Sequence, residues 1–130
     1  MSLDKRFLVF GLGFAVAGLS LGIHMAASKN HGQFVTHAHI MLIGFLLSFV
    51  YGIIHRLWLH RPNRVVANIQ FVLHQAAAVT VSTGLFLLYG NIISVHILDP
   101  ILGIATFGVL LAMVLMLYMV IRSGTGTATA

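Results

Sequence analysis

The chain has 130 residues, of which 59% are hydrophobic and 7% charged, with a net charge of +5 and no cysteine. A soluble domain carries about 25% charged residues, so a water-exposed globular enzyme, a disulfide-stapled secreted scaffold and a disordered chain are excluded. What remains is one small all-α integral membrane domain, and against its apolar background stand eight histidines.

A bilayer core about 30 Å thick takes roughly 20 helical residues. The first apolar run is Phe7–Ala27. Lys5 and Arg6 precede it, as they would in a signal peptide, but the run exceeds the roughly 7–15 residues of a signal core and reads as a retained helix. On it Gly11, Ala15, Gly18, Gly22 and Ala26 fall within an arc of about 80°. Such a small-residue stripe lets another backbone approach, from this chain or from another copy. His24 points away from the stripe.

The second run, Thr36–Trp58, begins with Thr36-His37-Ala38-His39. Histidines two apart on a regular helix project about 160° from each other, so both cannot reach one ion. The same periodicity places Met41, Gly44, Ser48, Tyr51, Gly52 and His55 on the His37 side, a mixed polar and small face suited to a bundle interior. Ile43, Leu46, Val50, Ile53 and Leu57 lie on the His39 side, with nothing polar to meet a ring N–H. His39 is therefore expected to find its partner outside this helix: a metal ion, a haem iron, or a polar group of another helix or protomer. Both histidines lie one or two turns inside the outer helix end, and the bland alternative is that they reach interfacial water.

The third run, Val66–Tyr89, carries His74 roughly 12 Å from the inner end by the helical rise. It shares a face with Ala67, Gln70, Ala77, Ala78 and Val81, where a Gln–His hydrogen bond across helices is the simplest structural role. His74 and His39 are some 15 Å apart along the normal, too far for one ion. The fourth run, Pro100–Ile121, follows Asp99, which is expected as its N-cap with Pro100 at the first helical position. Residues 1–122 read as a single four-helix transmembrane domain and residues 123–130, rich in Gly, Thr and Ala, as a disordered tail.

Short loops imply an up-down-up-down bundle. Lys5, Arg6, Arg56, Arg61, Arg64 and Arg122 fall at one set of helix ends and only Lys29 at the other. The positive-inside rule then gives an N-in/C-in, multi-pass protein of the cell inner membrane, whose basic charge requires no nucleic acid. His24, His31, His37, His39 and His96 gather at the outer side. His55 and His60 sit at the inner interface beside Arg56 and Arg61.

The run Gly32-Gln33-Phe34-Val35-Thr36-His37-Ala38-His39-Ile40-Met41-Leu42-Ile43-Gly44 resembles a histidine-bearing transmembrane helix in subunit I of nitric oxide reductases and the related haem–copper oxidases. The chain also looks like the small four-helix oxidase-like membrane proteins with a His-Ala-His near the start of helix two. The resemblance implies that His37 and His39 each give one axial ligand to a haem, on opposite faces. The family subunit has more spans and separate histidines for a second metal, so one copy of this chain lacks a complete dinuclear centre. Because the family fold consists of three quasi-equivalent four-helix arcs, a homotrimer of this chain would resemble that arrangement.

Three functional readings stand. The first is a membrane protein binding haem b, non-covalently for lack of Cys. In it His37 and His39 are ligands, His24 is a third candidate, and the role is electron transfer with a redox partner or binding of O2 or NO. The second is a copper or zinc site built from His24, His37, His39 and His96, with Met25 or Met41 as soft ligands and His74 as a separate metal candidate. The third is a non-catalytic assembly subunit whose histidines bond between helices. Acid–base catalysis is disfavoured because the only carboxylates, Asp4 and Asp99, lie at opposite faces. Catalysis, if present, is that of a haem- or metal-dependent oxidoreductase. A proton path through His74 and Tyr51 falls short of polar residues.

Overall fold

In the computed structural model, which describes residues 1–123, four helices run in chain order. They are α1 (Leu3–Ser28), α2 (Phe34–Leu57), α3 (Arg64–Tyr89) and α4 (Val95–Ser123). Each is long and apolar enough to cross a membrane. Two boundaries follow directly from local chemistry. Lys29 closes α1 in the left-handed conformation at φ 55°. The Asn63 side chain accepts from the N–H groups of Val65 and Val66 and starts α3 two residues before the expected Val66.

Helix α4 corrects the sequence reading. It begins at Val95, five residues before Pro100, and Asp99 is not its cap. The Ser94 carbonyl accepts from both Ile97 and Leu98, so the helix nucleates one turn earlier than Asp99-Pro100 suggests. Pro100 therefore sits inside the helix, where the His96 carbonyl one turn back receives no N–H from it. At the other end Ser123, read as tail, is the last helical residue; the remainder of the expected tail lies outside the described residues.

Helix α2 holds the main departure from regularity. Residues Phe34–His39 are α-helical, Ile40–Leu46 form a π-helical segment, and Leu47–Leu57 return to α. The Leu47 N–H bonds the Leu42 carbonyl five residues back. This register accommodates one extra residue, which turns the first part of α2 by about 100° relative to the second.

The helices pair as two hairpins, α1 with α2 and α3 with α4. They join where α2 meets α3 and where Phe7 of α1 packs edge-on against Phe71 of α3, with ring centroids 4.8 Å apart. The small-residue stripe of α1 is settled as intramolecular: Gly11 lies against Ser48 and Phe45, Gly18 against Met41 and Ile40, and Gly22 against the His37 ring, all on α2. Helix α3 is both the least apolar span and the most buried one. That combination makes it the carrier of interior polar groups, whereas α4 is the most apolar span and is largely exposed.

The largest packed cluster, Phe7, Tyr51, Leu59, Ala67, Phe71, Met116 and Met119, lies at the end holding the chain start, the α2–α3 loop and the end of α4. Arg6, Arg61 and Arg64 line one cavity at this basic end, and Arg61 and Arg122 line another. The fold thus brings together the positive charges that the sequence allotted to one side. The Asp4–Arg56 pair there spans 3.7 Å, but Arg56 is 78% exposed, so it contributes little stability.

Candidate functional site

The π segment decides where the two histidines of α2 point. Downstream, the buried line runs through Gly44, Ser48 and Tyr51-Gly52. A regular helix would extend it back to Met41 and His37, as the sequence reading assumed. The extra residue shifts it by one, so that Ile40, at 8% exposure, and fully buried Thr36 occupy the interior. His37 and His39 flank that line on opposite sides, both half-buried. Thr36 is fixed by a bond to the Gln33 side chain at 2.6 Å. Gln33 in turn donates to the Phe86 carbonyl at 3.0 Å, tying the start of α2 to the end of α3.

Each histidine has one ring nitrogen engaged. Nδ1 of His37 lies 2.7 Å from the Gly18 carbonyl of α1. Nδ1 of His39 lies 2.8 Å from the Val35 carbonyl of its own helix. The expectation that α2 supplies no partner for His39 is thereby corrected: a helical side chain leans toward the N-terminus and reaches the carbonyl one turn back, which a tally of side chains overlooks. A carbonyl only accepts, so both Nδ1 atoms carry a proton, and in the neutral ring the lone pair then lies on Nε2.

The other histidines are dispersed. His24 is exposed and lines a cavity of about 770 Å³ at the far end, with Leu21, Ile40, Phe86 and Tyr89 among its walls. His31, His60 and His96 are exposed. Among the described residues no group of three His, Asp or Glu side chains comes close enough to hold a metal ion, so His24, His37, His39 and His96 do not converge within one chain. His55, at the basic end, is half-buried and stacks on Phe7, with centroids 5.4 Å apart and a buried Nε2 lacking a partner among the described residues.

The site that sequence reasoning undervalued lies in mid-bundle. His74 is fully buried, and neither ring nitrogen has a hydrogen-bond partner among the described residues. The expected Gln–His bond is not made. Gln70 donates to the Ala112 carbonyl of α4 at 3.3 Å, and Gln75 donates to the Ser48 hydroxyl of α2 at 3.0 Å. Tyr51 sits edge-on to the His74 ring, centroids 4.9 Å apart, and its hydroxyl donates to the Met113 sulfur. The Oε1 atoms of Gln70 and Gln75 are likewise buried and unpartnered. Each such orphan costs about 1–3 kcal/mol. The signal available in the sequence was Gln75, one residue from His74 yet off its face on a strict helical wheel.

No protein-family model matches the sequence, and no curated protein or solved structure matches it. Fold and sites together define a four-helix multi-pass membrane protein with two half-buried histidines, each with a free Nε2, on one helix and a buried polar layer at its centre.

Proposed function

We propose that this is a haem b-binding protein of the cell inner membrane, related to haem–copper oxidase subunit I, that works in electron transfer or in binding O2 or NO. One observation carries the reading: His37 and His39 both commit Nδ1–H to a backbone carbonyl and leave Nε2 unpartnered at the same depth on opposite flanks of α2. Metal-ligating histidines almost always make this second bond, because it fixes the tautomer and strengthens the donor lone pair. The donor set therefore fits a haem iron, which takes a neutral imidazole and an apolar wall.

When bound, haem would supply one-electron exchange or an open position for a diatomic gas. The chain's own contribution is orientation. The Gly18 carbonyl holds the His37 ring beside Gly22, and the Val35 carbonyl holds His39. Both rings stand at the margin of the bundle rather than in its centre, which favours sites completed between copies of the chain, as in a homotrimer. His24, beside its own cavity at the far end, is the third candidate ligand.

An absorption spectrum of the detergent-purified protein, expressed with ample haem, tests the proposal. The expected result is a Soret band that falls on His39→Ala or His37→Ala and persists in His31→Ala. A colourless protein would overturn it. Stoichiometric copper or zinc by elemental analysis would then assign the histidines to a metal site shared between chains.

A further inference from the structure

The buried layer around His74 is independent of the haem proposal. Gln70, His74 and Gln75 occupy little more than one turn of α3, with Ser48 and Tyr51 of α2 facing it. After the bonds already described, four atoms are left over: Oε1 of Gln70, Oε1 of Gln75, and both nitrogens of His74. Buried polar atoms in folded proteins are almost always satisfied, by protein or by ordered water.

The identity of the missing partner follows from the inventory of donors and acceptors. A neutral imidazole offers one donor and one acceptor, and the two amide oxygens are acceptors. The unpartnered atoms therefore call for three donors and one acceptor, while the second N–H of each amide and the Ser48 O–H remain to be accepted, so the layer needs a partner that both donates and accepts. An anion donates nothing, and a bare metal ion cannot accept from an N–H. Water does both, and a buried water typically makes about three such bonds.

We propose that this layer is an internal water-binding site, fed from the basic end of the bundle. On α2, polar side chains continue in that direction. Ser48, Tyr51 and His55 follow one another on α2, and the fully buried Phe7 ring stands between those of His55 and His74, at 5.4 and 6.4 Å, so water from this end enters past Phe7. His55 lines the cavity of about 860 Å³ that also touches Asp4, Arg6 and Arg64. Toward the far end the same face of α3 is closed by buried Ala77, Ala78 and Val81, and Gly84 is covered by Leu102.

Water-edited solid-state NMR of the histidine-labelled protein in lipid bilayers tests this, with His74 signals assigned by difference against His74→Phe. The expected result is rapid transfer of water magnetisation to the His74 ring, comparable to that of exposed His31. The His55→Phe variant, which keeps the stack on Phe7, is expected to slow the transfer several-fold. Should His74→Phe fail to fold, Gln75→Leu provides the assignment by shifting the His74 nitrogen signals. Transfer to His74 as slow as to the lipid-facing Val79 amide would overturn the site. Unchanged transfer in His55→Phe would overturn its entrance.

Discussion

Gly44 and Gly13 illustrate how much a single residue contributes to the α1–α2 contact. A Cβ on Gly44 would run into the ring of Phe14, whereas one on Gly13 meets nothing within 4 Å. Gly44→Ala is therefore expected to lower stability by about 1–3 kcal/mol through overpacking. Gly13→Ala, which adds only helix propensity, is expected to be neutral or stabilising by up to ~1 kcal/mol. Unfolding titrations of the two variants in mixed micelles make the comparison, and equal losses would contradict the packing assigned to the seam. At the same scale, Gly22 sets the pose of His37: a Cβ there would stand 3.1 Å from the ring carbon Cε1. Gly22→Val is expected to lift the ring from the Gly18 carbonyl and, if His37 ligates haem, to weaken its Soret band without unfolding the bundle. The glycine stripe was legible in the sequence because small residues at helical spacing are a direct geometric signal. Its partner was not, since spacing says nothing of what lies opposite.

Elements carry the two departures from regular helix. In α2 the π segment displaces the interior line from His37 and Met41 to Thr36 and Ile40. Removing one exposed residue of that segment, Leu42, is expected to restore a continuous α-helix and rotate His37 and His39 by about 100°. Far-ultraviolet circular dichroism should then be unchanged, while the histidine environments seen by NMR, and any Soret band, are altered. A variant that keeps the wild-type histidine signals would show that the extra residue does not set their direction. In α4, Pro100 interrupts the ladder one turn after the start. Pro100→Ala is expected to raise stability by up to ~3 kcal/mol, the cost of an interior proline, measured as a shift in the unfolding midpoint. Neither feature could be read from sequence. The run Ile40–Leu46 has ordinary helix-forming composition, and Asp99-Pro100 has the pattern of a helix start, which Ser94 pre-empts.

At the scale of the whole molecule, the basic residues at one end give a test of orientation. The chain has no cysteine, so single cysteines can be placed at will. A cysteine at His31 is expected to react with an impermeant maleimide from outside intact cells, and one at Asn63 only after permeabilisation, as the positive-inside rule requires. The reverse pattern would invert the topology. Four spans, their approximate limits and the gathering of charge at one end were all determined by the sequence alone. Hydrocarbon admits backbone only as a hydrogen-bonded helix, and the lengths of the apolar runs then leave little choice. Tertiary structure alone decided which α2 residues face inward, that the α1 glycines pack on α2 of the same chain, and that His74 lies among Gln70, Gln75 and Tyr51 with no partner of its own. The physical reason is common to all three. In a bundle this apolar, lipid-facing and helix-facing side chains are chemically alike, so the direction of each face is set by the backbone path and by contacts between helices, which no single helix's pattern records.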